Sequence, residues 1–335
     1  MKLTRSQMNR LLKDFTGPVR RAFEQAIRTA KGRVNIAAVE RAIVSGDIDA
    51  VMIAIGMREG VWTGVTEEIR RTYAASGAFI VAADVPKKFS AAFNISNPRA
   101  EGWLRNNSSQ LITGNLQPEQ RSAIQTVLQN GFVKGNNPRT TALDIVGRIS
   151  KETGRRTGGV LGLTGQQAGY AVNASNELAS LDSHYFTRRL RDKRFDNAVK
   201  RSIKEGKPLP VETRNKIVAR YEDRLLKHRG ENIARTEALA ALNEASDEAL
   251  RQAVIGEGLA PANAVTRIWR HSFAGHERPG HLMMNGQERG IGEFFVNPLT
   301  DVALLHPGNG PGSETINCRC YLEHKIDFVA VELAA

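Results

Sequence analysis

The chain reads as mainly α: an elongated helical N-terminal body followed by a small α+β C-terminal module. Three observations predict this. Apolar residues recur three and four apart through most of the first two thirds of the sequence. Alanine is abundant and aromatic residues make up only 6%, which suits helix-on-helix packing. Beyond Ala262 the helical period fades into short β-prone runs separated by glycine- and proline-rich turns. The 41% hydrophobic content is enough to bury a core and excludes a disordered chain. The 335 residues allow two domains or one large one. Three regions are predicted: 1–115, helical with an extended arm; 116–230, helical with a glycine-rich connector and a basic block; and 231–330, the C-terminal module.

In chain order, "SQMNRLLKDF" and "VRRAFEQAI" carry helical apolar stripes with cations between them. "NIAAVERAIVSGDIDAVMIAIG" holds two short stripes split by the turn signal "SGD". From 85 to 115, Pro86, Pro98, Asn94, Asn97, Asn106, Asn107 and Gly102 predict a looser arm or linker, with a short helix around Trp103. "QPEQRSAIQTVLQNGF" predicts a helix that starts at Pro118 and stops near Gly131. "NPRTTALDIVGRI" predicts another, with Ala142, Ile145, Val146 and Ile149 as its buried stripe. The glycine-dense 152–169 lacks the lysine-serine/threonine ending of a phosphate loop and the dinucleotide fingerprint, so it reads as a flexible or close-packed connector. "ENIARTEALAALNEASDEALRQAV", free of proline and glycine, predicts a long helix with Ile233, Leu239, Leu242 and Leu250 on its apolar stripe. After it, "AVTRIWRHSF" and "EFFVNP" read as strands, and "NGQERGIG" and "HPGNGPGSET" as turns and a loop.

The net charge of +12 suits polyanionic partners, nucleic acid first, or simply a basic solvated surface. Residues 181–230 are the most basic block, with 15 lysines and arginines against 7 acids. Arg188, Arg189, Arg191, Lys193, Arg194, Lys200, Arg201 and Lys204, interleaved with Tyr185, Phe186, Phe195 and Tyr221, are the candidate nucleic-acid contacts. The alternative is a solvated helical face whose aromatics pack inward. No apolar core of a secretory signal follows "MKLTRSQMNRLLKDF", and the longest apolar run, Ala50 to Met57, is too short to span a bilayer. With two cysteines and no disulfide framework, synthesis in a reducing cytosol is expected.

Both cysteines, Cys318 and Cys320, and five of the seven histidines (His271, His276, His281, His306 and His324) fall in the last quarter of the chain. Thiolate and imidazole are the ligands zinc prefers, and a small loop-rich module gains stability from a metal. Cys318 and Cys320, with His281 and then His276, are the candidate ligands of a structural zinc. The alternative is two thiols packed as small hydrophobes. A catalytic reading is weaker. His271 and Asn285 could begin a His-Asn-His nuclease series, but "GEFF" lacks the later histidine, and a thiol-imidazole nucleophile has only Arg319 beside it to lower the thiol pKa.

"HERPGHLMMNG" followed by "LLHPGNGPGSETINCRC" resembles the phage head morphogenesis, or Mu F-like minor head protein, family. Arg278, His281 and Gly286 match that family's first element. Pro307, Gly308, Glu314, Asn317, Cys318, Arg319 and Cys320 match its closing one. Ala234, Arg235, Thr236 and Glu237 match its Ala-Arg-Thr-Glu helix. His276 stands where the family has an arginine, and Gly280 where it has a serine. The likeness covers roughly 231 to 325. It implies a virion structural protein made in the bacterial host cytoplasm and placed in the head interior or at the portal vertex. It implies the portal protein or major capsid protein as partner, with packaged double-stranded DNA as a further candidate. It names no small-molecule substrate and no membrane span. The alternatives are a particle-carried enzyme, either a metal-dependent nuclease or a transferase, and a DNA-binding ejected or connector protein.

Overall fold

Several helix starts in this chain are set by short polar caps. The structure is a computed structural model that describes residues 5–57, 59–85, 91–255, 264–272 and 278–334. It is mostly helical, with a small sheet-containing C-terminal region. The helices before the sheet are α1 (Arg5–Arg33), α2 (Ile36–Val44), α3 (Ile48–Ile55), α4 (Thr63–Asp84), α5 (Pro98–Ser109), α6 (Gln117–Val133) and α7 (Pro138–Val146). A two-residue hairpin, β1 (Arg148–Ile149) and β2 (Arg156–Thr157), precedes α8 (Gly165–Ser180), α9 (Asp196–Glu205) and the 40-residue α10 (Val211–Leu250). Asn35, Asp47 and Asn137 each accept a backbone N–H of the first turn, which satisfies donors the helix leaves orphaned. Among the described residues, no helix is long and apolar enough to cross a membrane.

Two sequence expectations change here. Residues 98–116 are helical and not an arm: α5 passes through a π-helical turn at Gln110–Leu116 directly into α6. Asn97 accepts the Arg99 N–H at 3.0 Å, so the Asn-Pro pair that reads as a breaker is a cap followed by a proline whose missing N–H costs nothing. Ile149 is 63% exposed, because α7 stops at the Gly147 cap and Ile149 belongs to the hairpin.

The chain divides into two compact units that do not follow sequence order. One takes its described residues from Phe23–Gly64 and Ser108–Gly230, the other from Met1–Ala22, Val65–Asn107 and Glu231–Ala335.

In the unit built on Phe23–Gly64 and Ser108–Gly230, the glycine-dense stretch is a pinned strap. Lys31 donates to the Gly158 carbonyl at 2.6 Å, Asp223 accepts the Gly158 N–H, and Glu222 accepts the Gly159 N–H at 2.7 Å. Gln120 accepts the Gly162 N–H, and Arg229 donates to the Gly162 carbonyl. These side chains give buried backbone groups the partners they need. Burial pushes the Glu222 carboxyl up to about 8, against the pull of the Gly159 N–H and of Lys31. Gly159 has φ +77°, and a Cβ there would sit 2.3 Å from the Gly147 nitrogen. Of the two readings, flexible or close-packed, the chain takes the second.

The other unit carries the sheet. β3 (Val265–Arg270) is central, flanked antiparallel by β4 (Glu288–Gly290) and β7 (Tyr321–Ile326). The short helix α11 (Pro279–Met283) lies between β3 and β4. A small pair, β5 (Phe295–Val296) and β6 (Ala303–Leu304), and the turn α12 (Gly312–Thr315) precede β7, and α13 (Phe328–Ala334) follows it. The expected strands at 264–273 and 293–298 contain β3 and β5, whereas 285–292, expected as a turn, contains the strand β4 because Glu288–Gly290 pair with β3. The core joins Leu239, Leu242 and Leu250 of α10 to Trp269, Phe295, Leu322 and both cysteines. Through this core runs a polar row from α10. Asn243 donates to the Pro307 carbonyl and accepts the Leu322 N–H. Asp247 takes the fully buried Arg267 at 2.6 Å and His324 at 3.1 Å. Arg267 also caps the carbonyls of Gly290, Glu293 and Leu305. A buried charge is tolerated only when so completely paired.

Candidate metal centre

His281 reaches the core because Pro279 starts a single helical turn directly after Arg278. The Arg278 guanidinium holds the opposite loop by donating to the carbonyls of Ser313 and Ile316, at 2.5 and 2.7 Å. Asn317 then turns the chain in the left-handed region, at φ +58°, and aims Cys318 and Cys320 inward. α10 braces that turn: Arg235 donates to the Asn317 side chain at 3.0 Å, and the Asn317 N–H reaches the Thr236 hydroxyl at 3.4 Å. Gly308, at φ +94°, passes so close to α10 that a Cβ would lie 2.8 Å from Ala240 Cα.

These elements bring together His281, Cys318 and Cys320, which are 2%, 3% and 2% exposed. Their ligand atoms all lie within 4.8 Å of one another. His281 Nδ1 is 3.5 Å from Cys318 Sγ and 3.7 Å from Cys320 Sγ. A tetrahedral zinc with Zn–S of about 2.3 Å and Zn–N of about 2.0 Å separates sulfur from nitrogen by roughly 3.5 Å. The observed spacings lie at or just above that value. On its far side, His281 Nε2 donates to Glu314 at 2.7 Å. Glu314 in turn accepts from Asn297 at 3.0 Å and Thr300 at 2.9 Å. This chain of bonds holds Nε2 as the outward donor, so Nδ1 is the nitrogen that faces the sulfurs and that a metal would take in place of a proton, the usual outer arrangement around a metal-bound imidazole. His281, Cys318 and Cys320 thus form a candidate structural zinc site with two soft sulfurs and one nitrogen.

The electrostatics agree with that donor set. The hydrogen bond from Cys320 first, then those with His281, hold the Cys318 thiol well below its ordinary range despite burial. The same pairing, with burial, pushes Cys320 up. Burial alone would lower the His281 imidazole, but its bonds to Cys318 and Glu314 hold it above its ordinary value. The Trp269 ring meets His281 edge-on at 5.4 Å.

The other expected site residues fall as follows. His276 lies outside the described residues. Arg319 is exposed, and with burial as the larger cause its charge lowers Arg235. Glu237 is buried against Asn107, which donates to it at 2.9 Å; burial pushes this carboxyl up to about 7. Gly286 takes φ +90° and its N–H donates to the Trp269 carbonyl. His271 and Asn285 do meet, but through the His271 backbone N–H. His306 pairs with Glu244, and His324 with Asp247. In the basic block, Arg188, Arg191 and Arg194 are bound to Glu177, Asp196 and Asp192, whereas Arg189, Lys193, Lys200, Arg201 and Lys204 are exposed. Asn297, Thr300 and Trp269 carry no sequence signal. They are ordinary residue types made part of the centre by packing alone. No protein-family model, curated protein or solved structure matches the chain.

Proposed function

We propose that this chain is a tailed-phage minor head protein, a structural component that associates with the portal or capsid protein during head assembly. The observation that carries the reading is the convergence of its motif residues. Arg235 and Thr236 on α10 grip Asn317, Arg278 ties the same loop, and His281 meets Cys318 and Cys320, although these residues are spread over more than eighty positions. Each contact braces the module internally. The burial of His281 and both thiols supports a centre that staples the C-terminal loop, with no step of chemistry asked of it. The +12 charge suits a particle interior that holds nucleic acid. On this reading the protein is made in the host cytoplasm and resides in the head interior or at the portal vertex.

The test is quantitative mass spectrometry of purified heads and procapsids from cells that express the whole head gene set. The expected result is this chain at a small, reproducible ratio to the shell protein, and its co-purification with the portal. Absence from both particles would overturn the assignment.

A further inference from the structure

The charge in the basic block is divided into two populations. Arg188 forks onto Glu177 at 2.6 and 2.5 Å, and Arg191 onto Asp196 at 3.0 and 2.9 Å. Arg194 closes on the buried Asp192 at 2.6 Å, and Arg224 shares that carboxylate at 3.2 Å. These pairs use up Asp192 and Asp196. Arg189, Lys193, Lys200, Arg201, Lys204 and Lys207 are left exposed, without a carboxylate partner among the described residues. Between 188 and 207 the single exposed acid is Glu205. α9 turns Val199 and Ser202 inward and Lys200, Arg201 and Lys204 outward. Lys200 and Lys204, four apart, share one face.

We infer that this face is a sequence-independent contact for the phosphate backbone of double-stranded DNA. Charge complementarity selects a polyanion. Arg188, Arg191, Arg194 and Arg224, of the side-chain type that reads guanine edges by a planar fork, are already spent on carboxylates. The free cations are mostly lysines, which act as point charges. The aromatics select duplex over single strand. Tyr185 and Tyr221 are buried, Phe186 and Phe195 are half-buried, and Phe186 is covered by Arg191 and Lys200 at 5.7 and 5.9 Å, so no tyrosine or phenylalanine ring of the block stands fully exposed as a stacking platform for bases. The inference rests on this charge pattern and does not require the head-protein assignment.

Fluorescence anisotropy of the purified full chain with two unrelated duplexes of about 30 bp, from roughly 50 to 200 mM KCl, tests it. Six phosphate contacts give a slope of log K against log salt of about −5, equal for both duplexes. The triple variant Lys200→Glu, Arg201→Glu, Lys204→Glu is expected to bind at least about tenfold more weakly at the lower salt and to flatten the slope by about 3. The neutral Lys200→Gln, Arg201→Gln, Lys204→Gln variant should move the same way by less, which covers the case of a misfolded reversal. A control with the same charge change at exposed sites, Lys13→Glu, Arg70→Glu, Arg105→Glu, should leave binding within about twofold. Four results would each overturn the proposal: no binding at the lower salt, equal loss in the control, a strong preference for one duplex, or competition by poly-glutamate as effective per charge as DNA.

Discussion

His281 donates from Nε2 to Glu314 at 2.7 Å, and this one bond decides what its other nitrogen can do. It leaves Nδ1 facing Cys318 and Cys320 at the separations a tetrahedral metal requires. The double variant Cys318→Ser, Cys320→Ser is expected to lose bound zinc, measured by elemental analysis of protein purified without chelator, and to melt several degrees lower. Glu314→Gln keeps both sulfurs and should hold zinc roughly 10- to 100-fold more weakly. A double variant that melts like the parent, with or without chelator, would remove the staple.

Glu237 sets a pH dependence. Its folded carboxyl sits at about 7, above the ordinary value of 4.5, because burial disfavours the charge. Between those two values the folded chain holds a proton that the unfolded chain has lost. Stability is therefore greatest below about pH 4.5 with respect to this group, declines as pH rises to about 7, and levels off above. The span is up to roughly 3 kcal/mol. Urea unfolding of Glu237→Gln against the parent across that range should show the variant's profile flatter, with its advantage growing toward pH 7. Parallel profiles would show that Glu237 is charged in the fold.

The glycine strap gives a contrast between two alanine substitutions. Gly159→Ala places a Cβ 2.3 Å from the Gly147 nitrogen at a positive φ, and should cost more than about 2 kcal/mol. Gly169→Ala, within α8 and with nothing within 4 Å of the new methyl, should stabilise by about 0.5–1 kcal/mol. Thermal melts of both variants check the pair. A tolerated Gly159→Ala would mean the strap is free to move.

Most helices were legible because their signals are local. The "SGD" turn splits α2 from α3 with Asp47 as the cap, and Asn137 with Pro138 opens α7. The same local grammar misled at Asn97 and Pro98, since a cap and a breaker use identical residues and only the next turn distinguishes them. It also hid the capping box of Thr164 and Gln167 inside a stretch that reads as glycine-dense. The gathering of histidine and cysteine near the C-terminus pointed to the metal centre, and His281 lies in it. The polar positions Asn243, Ser246, Asp247 and Glu248 give no signal beside the leucine stripe of α10, yet Asn243 and Asp247 carry buried bonds of the module.

Composition, periodicity and caps by themselves determined a helical chain with a mixed C-terminal module, a charge surplus, and the residue types of one centre. Those properties depend on neighbours a few positions away. The tertiary structure alone decided which polar group meets which. Lys31 finds the Gly158 carbonyl 127 residues on, Asn107 finds Glu237, Arg267 finds Asp247, and Arg188, Arg191, Arg194 and Arg224 of the basic block are neutralised by acids. The reason is desolvation. A buried polar group is costly until it is paired, and its partner is whichever group packing delivers to it, at any distance along the chain.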